Sequence, residues 1–319
     1  MASRFANPVV VASQMGAGFN AAFVAACPFA RLIPIPMGVP RNLSPDVDVL
    51  FARGFHRQDS ATPPPPEGWP FGLKWIQLLA VGADLFPPWI HDGPVVTSGR
   101  GWSAEALAEF ALAMIFAQAK RIPDVWIRSP ASWAPVQMSS VSGANLGLFG
   151  FGSIGKALAP KAHALGMNVA AVRRTESALP TYVERMAAIG ALFRWADHVV
   201  LAAPATPETW RIVDEKVLAG SKPGLHLINI GRGSLVDEAA LLRALDDGLV
   251  SRASLDTIDI EPAPEGHPLY NHPKVRLSPH TAVFTPEAPD RQLEKFLRNM
   301  ARYASGQPLE DPIDRSLGY

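Results

Sequence analysis

The spacing Gly150-Phe-Gly152-Ser153-Ile154-Gly155 lets a backbone approach a phosphate group closely. An apolar run, Leu146–Phe149, precedes it, and a stretch with helical character, Ser153–Leu165, follows. In that strand–turn–helix setting the first glycine makes the tight turn. The second leaves room for a pyrophosphate, and the third lets helix and strand pack closely. Amides at the helix start, those of Ser153 and Ile154 among them, favour the anion. The chemistry implied is dinucleotide binding. At about 20 residues past such a motif an acidic residue holds the ribose 2′-hydroxyl of NAD. Here that place, after the apolar run Val169–Val172, holds Arg173-Arg174-Thr175. Two guanidinium groups and a hydroxyl suit a 2′-phosphate; the plainer alternative is a solvated arginine pair. The expectation is NADPH preferred, with NADH possible.

Three further residues have types and places suited to acid–base work. His280, in Ser278-Pro-His-Thr281, follows the apolar run Val275–Leu277. Ligands gather at such strand ends in open parallel sheets, and an imidazole exchanges protons near neutral pH. Arg232 stands between two glycines after Leu225–Ile230, where a guanidinium can fork onto a carboxylate and polarise a carbonyl. Glu261, before Pro262, can fix the orientation of an imidazole. Such a set suits reduction of a 2-keto acid, in which hydride goes to carbon and a proton to oxygen. Taken singly, the plainer roles are one structural histidine among eight, a loop salt bridge and a turn residue.

Together with the glycine turn, Asn229-Ile-Gly-Arg-Gly233, Leu255-Asp-Thr-Ile-Asp-Ile-Glu-Pro262 and Ser278-Pro-His-Thr281 follow one another in a known order. From about Trp75 to Pro286 the chain resembles the D-isomer-specific 2-hydroxyacid dehydrogenases. The resemblance implies Arg232, Glu261 and His280 as the catalytic set. It places the substrate carboxylate on the backbone of Val81-Gly82, with Arg232 and His280 also touching substrate. It assigns Asp256 to the nicotinamide carboxamide, and Ala203, Pro204, Thr209 and Ile230 to further cofactor contacts. The two arginines after Val172 are similar to those of NADPH-using glyoxylate and hydroxypyruvate reductases. Glutamate rather than glutamine at 261 disfavours formate oxidation, whereas phosphite-oxidising relatives keep the same three residues. Some relatives are nucleotide-sensing corepressors, so an interaction protein on the same fold is the competing class; the complete triad favours the enzyme. A homodimer is also implied.

These groups need a scaffold. After Ser142, short apolar runs alternate with helical patterns, which predicts an α/β protein with a parallel sheet covered on both faces. The expected runs are strands at 198–202, 253–256 and 275–277, with helices at Thr181–Ile189, Glu238–Leu245 and Pro286–Tyr303. The resemblance makes the sheet a Rossmann-type doubly wound one, beside a second, smaller flavodoxin-like α/β substrate domain. The expected division is 99–285 for the dinucleotide-binding domain, and 1–98 with 286–319 for the substrate domain. Earlier, Val9–Ala12, Val47–Ala52 and Trp75–Leu79 read as strands, and Asn20–Ala26 and Ser103–Lys120 as helices. Segment 122–142 has little periodicity, and its Trp126 and Trp133 are either core anchors or a subunit contact. Pro63–Pro66 reads as a stiff surface connection.

Composition bounds the partners. The 319 residues hold 29 Lys+Arg and 29 Asp+Glu, so no net field attracts nucleic acid or an anionic membrane. A single cysteine excludes an internal disulfide and a Cys-rich zinc site, and no metal is expected. No apolar run reaches the ~18–20 residues that span a bilayer. The small apolar stretch Gly16–Ala30 follows only one early charge, Arg4, which argues against a signal peptide. The expected location is cytoplasmic.

Overall fold

The computed structural model describes residues 8–55, 62–84 and 86–315; Arg4 lies outside them. The chain divides into two compact units, Met1–Ser103 with Thr285–Tyr319, and Ala104–Phe284. In the first unit, β1 (Val9–Ser13), α1 (Ala17–Ala26), β2 (Ala30–Pro34), β3 (Val49–Ala52), β4 (Trp75–Leu78) and β5 (Val95–Thr97) succeed one another. The strands form an all-parallel sheet in the order β2-β1-β3-β4-β5, the flavodoxin-like order. Strands β1, β3 and β4 are buried along their whole length, which is why they read as unbroken apolar runs. Strand β2, with Arg31 and Pro34 on an edge, and the three-residue β5 lack that signal.

The proline run is tied down at its first residue. Trp89 Nε1 donates to the carbonyl of Pro63 at 2.8 Å, and Trp69 Nε1 donates to the carbonyl of Trp89 at 3.1 Å. The two indoles meet edge-on at 4.6 Å, and Phe55 stacks on Trp89. The stiff connection is thus laid over an aromatic cluster, where each indole N–H finds an acceptor.

The second unit opens with α2 (Ala104–Ala119), whose buried face is Leu107, Ala108, Ala111, Ile115 and Ala119. There follow β6 (Asn145–Phe149), α3 (Ser153–Ala164), β7 (Asn168–Val172), β8 (Val183–Arg185), α4 (Ile189–Trp195), β9 (His198–Leu201) and α5 (Glu215–Ala219). β10 (Leu225–Asn229), α6 (Glu238–Asp246), β11 (Val250–Leu255), the short α7 (Pro268–Asn271) and β12 (Val275–Leu277) complete it. The seven strands are parallel in the order β12-β11-β10-β9-β6-β7-β8, a Rossmann-type doubly wound sheet. The order reverses between β6 and β9, and ligands bind at the strand ends beside such a switch point.

The helix expected over Thr181–Ile189 is absent: β8 and then α4 stand there. Val183 is buried and the three residues pair with β7, so edge pairing overrides the helical preference of Glu184 and Arg185. Trp126 and Trp133 are 67% and 81% exposed, so they anchor no core in this chain. Among the described residues, no helix is long and apolar enough to cross a membrane.

The last helix, α8 (Ala288–Ser305), belongs to the first unit. Its Phe296 and Tyr303 pack on Phe51 and Trp75, with ring centroids 4.6 and 5.5 Å apart. Asn299 Nδ2 donates to Gln77 Oε1 at 2.8 Å. Lys295, 2% exposed, is held by Asp311 at 2.5 Å and Glu310 at 3.3 Å, the pairing that a buried ammonium requires.

Candidate active site

Three glycines behave as the chemistry requires. Gly150 has φ +101°, and a Cβ there would lie 2.7 Å from the carbonyl oxygen of Ala202. It makes the turn and admits β9's outgoing chain alongside. A Cβ on Gly155 would lie 2.9 Å from Gly150's oxygen, so helix and turn touch through backbone. A Cβ on Gly152, in contrast, would meet nothing within 4 Å. That open space adjoins the first turn of α3, where the amides of Ser153 and Ile154 sit. The turn therefore fits a dinucleotide pyrophosphate.

Arg173 is half-buried, and Arg174 and Thr175 are exposed, directly after β7. Arg185 of β8 donates to the carbonyls of Thr175 and Ser177 at 3.3 and 2.6 Å, which sets the loop's course. Across the switch point, Ala203 and Ile230 are buried. The hydroxyl of Thr209 donates to the carbonyl of Pro204 at 2.8 Å and accepts from the amide of Thr206 at 2.8 Å. Thr209 thus closes its own turn. Glu208, beside it, is held below the usual carboxylate range by a hydrogen bond from Thr206 and, more weakly, by the charge of Arg174.

The structure brings Glu261 and His280 together across 19 residues of chain. His280 Nδ1 lies 2.8 Å from Glu261 Oε2, and Glu261 Oε1 accepts from the amide of Ile258 at 3.1 Å. The imidazole remains 43% exposed, open to a reacting group. His280 has φ +51°, a left-handed conformation that histidine adopts more readily than most side chains. Its amide donates to the carbonyl of Asp256 at 2.9 Å. The buried Asp256 carboxylate accepts from Ser278 Oγ at 2.6 Å and from the amides of Thr281 and Ala282 at 2.9 and 3.0 Å. In this chain Asp256 clamps the loop that presents His280.

Arg232 starts a loop held by Asn229 of β10. Asn229 Nδ2 donates to the carbonyl of Arg232 at 2.9 Å, and its Oδ1 accepts from the amide of Gly231 at 3.1 Å. A Cβ on Gly233 would fall 1.8 Å from the carbonyl carbon of Ile258. The Arg232 and Glu261 loops therefore lie backbone against backbone. Val81 and Gly82 lie in the other unit, half-buried after β4. Their loop is braced by Trp102 Nε1 on the carbonyl of Leu79 at 3.0 Å, and by the amide of Gly99 on that of Ala80 at 2.8 Å.

Sequence reasoning gave no role to Asn229 or Ser278, though both stand in the motifs it used. A polar residue ending a buried apolar strand, as Asn229 does, was the available signal. Also unforeseen is a polar row inside the sheet. His198 Nδ1 meets His226 Nδ1 at 3.1 Å, and His226 Nε2 meets Ser254 Oγ at 2.9 Å.

A family model described as "D-isomer specific 2-hydroxyacid dehydrogenase, NAD binding domain" matches residues 112–282. The glyoxylate reductase of Thermococcus litoralis is 33% identical over 253 residues, 74% of this chain and 75% of the relative. Glyoxylate/hydroxypyruvate reductase A of Serratia proteamaculans is 30% identical over 259 residues, 77% and 82% of the two chains. A D-isomer-specific 2-hydroxyacid dehydrogenase of Xanthobacter autotrophicus Py2, crystallised with NADPH and MES, superposes with a TM-score of 0.82 at 26% identity. It covers 98% of this chain and 100% of its own. These relatives are enzymes, and the reading as an interaction protein gains nothing from them. The chain belongs to the D-isomer-specific 2-hydroxyacid dehydrogenase family and is an NAD(P)-dependent oxidoreductase.

Proposed function

We propose that the protein reduces a small 2-keto acid of the glyoxylate or hydroxypyruvate type to the D-2-hydroxy acid, with NADPH as the preferred cofactor. The contact of His280 Nδ1 with Glu261 Oε2 at 2.8 Å carries the reading. With Nδ1 engaged, Nε2 is the atom that gives a proton to the substrate's carbonyl oxygen. Glu261 fixes the ring's orientation and tautomer. The Arg232 guanidinium forks onto the substrate carboxylate and polarises the carbonyl. By the family resemblance, the amides at Val81-Gly82 also contact substrate. The nicotinamide, when bound, supplies the hydride.

Gly150, Gly152, Ser153, Ile154 and Gly155 hold the pyrophosphate. Ala203, Pro204, Thr209, Ile230 and Asp256 border the cofactor. Arg173, Arg174 and Thr175 take the 2′-phosphate, which supports NADPH over NADH, and the Xanthobacter relative's crystals contained NADPH. We assign dinucleotide binding to 99–285 and substrate binding to 1–98 with 286–319. The exposed Trp126 and Trp133 support a homodimer, and the expected location remains cytoplasmic.

A panel of keto acids run with both cofactors, followed by loss of nicotinamide absorbance, tests this. Glyoxylate and hydroxypyruvate are expected to turn over fastest, with NADPH. A charge pair near a surface is worth about 4 kcal/mol, against about 1 in bulk water. Arg173→Asp should therefore cut the NADPH-over-NADH preference by about one to three decades. An unchanged ratio removes the cofactor assignment, and no turnover with any keto acid removes the reductase.

A further inference from the structure

We infer that Glu238 and His267 are positioning residues for the proton transfer, joined into one clamp on the loop that carries Glu261. The inference rests on the reading of His280 as proton donor beside Glu261. The loop leaves β11 after Leu255 and ends where α7 begins at Pro268. Glu261 lies in its middle, and the neighbouring Ile260 is 53% exposed. Such a segment holds a carboxylate steady only when pinned on either side.

Glu238, the first residue of α6, pins both sides. Its Oε1 accepts from the amide of Asp259 at 2.7 Å, and its Oε2 lies 3.6 Å from His267 Nε2. The two side chains are largely buried. His267 Nδ1 accepts from the amide of Leu269 at 3.4 Å, so Nε2 carries the ring's proton and faces Glu238 with it. Residues 259 and 267 bracket Glu261.

Successive amides meet two different carboxylates. That of Ile258 donates to Glu261 at 3.1 Å, and that of Asp259 donates to Glu238. Glu238 therefore fixes the peptide after Ile258, and the peptide before it presents its N–H to Glu261. Both bonds are charge-assisted. The start of α6 favours the Glu238 charge. The other charged groups about it are Asp237, Asp259 and Arg211, whose guanidinium stands 4.0 and 3.9 Å from the two aspartates.

Without the clamp Glu261 drifts from His280. A carboxylate beside an imidazole favours the protonated ring, the form that donates in reduction, so reduction then fails at a lower pH. The test follows kcat/KM for the keto acid against pH, with saturating NADPH and the full-length protein. In Glu238→Ala the pH at which the rate halves should fall by about one pH unit, and the rate above that point about ten-fold. Glu238→Gln keeps an oxygen for the Asp259 amide and should restore most of the difference. His267→Ala should move the profile the same way by less. On a Glu261→Gln background, Glu238→Ala should add no further fall. A wild-type profile in Glu238→Ala, with only the melting temperature lowered, overturns the inference; should that variant not fold, a wild-type profile in His267→Ala does so. A full additional fall on top of Glu261→Gln also overturns it, since Glu238 would then act elsewhere. These results spare the reductase reading, whereas a wild type without turnover removes both.

Discussion

An imidazole whose Nδ1 is engaged by a carboxylate can pass a proton only through Nε2. His280 is in that state, with Glu261 at 2.8 Å and its backbone tied to Asp256. His280→Asn keeps the side chain's size class and removes the proton. Turnover is expected to fall about a hundred- to ten-thousand-fold, with NADPH affinity by fluorescence titration unchanged within about two-fold. Wild-type turnover in this variant would end the mechanism. His280 and Arg232 stood out in the sequence as suitable residue types just past apolar runs, Glu261 entered through the family resemblance, and the structure brings His280 and Glu261 together. Asn229 and Ser278 did not stand out. Their polar groups are spent on backbone and carboxylate partners in the chain, and no pattern of types announces that.

Where two loops meet through backbone, the element becomes the unit of design. Gly233 and Ile258 touch so closely that Gly233→Ala must push the Arg232 and Glu261 loops apart. Overpacking of this kind costs roughly 1–3 kcal/mol. The variant should melt several degrees lower and lose most of its turnover, both read on one preparation by calorimetry and steady-state kinetics; wild-type values on both counts would refute the contact. Fully buried strands such as β1, β3, β4 and β10 were legible as apolar runs. Of the edge strands, β12 was legible, whereas β2, β5 and β8 were not, because pairing with a neighbour rather than their own composition makes them. Val183–Arg185 beside β7 is the instance that misled, and α4 began where the expected helix ended.

For the molecule as a whole, the buried histidine row sets an acid limit. Burial pushes His198 down to about 4, the nearby Asp197 opposing it. His226 lies well below the ordinary range, through burial first and then the charges of His198 and Arg252. An unfolded histidine takes up its proton near 6.5, and the folded pair does not. Their stabilisation is therefore present above about pH 6.5 and is lost as pH falls towards 4. At 1.36 kcal/mol per unit, His198 alone accounts for about 3 kcal/mol. Urea midpoints measured from about pH 7.5 to 5 should fall steadily; a flat series would contradict the buried pair. The exposed Trp126 and Trp133 lead to a second expectation, a particle of twice 34.3 kDa in light scattering at micromolar concentration. A 34.3 kDa particle would refute the homodimer. Finally, the missing side chain at 233 bears on how such an enzyme can change. Arginine and glutamate, remote in the chain, ride on one inflexible seam, so inheritance cannot nudge one without disturbing the other. Any side chain that shifts one of these loops therefore displaces both functional groups at once.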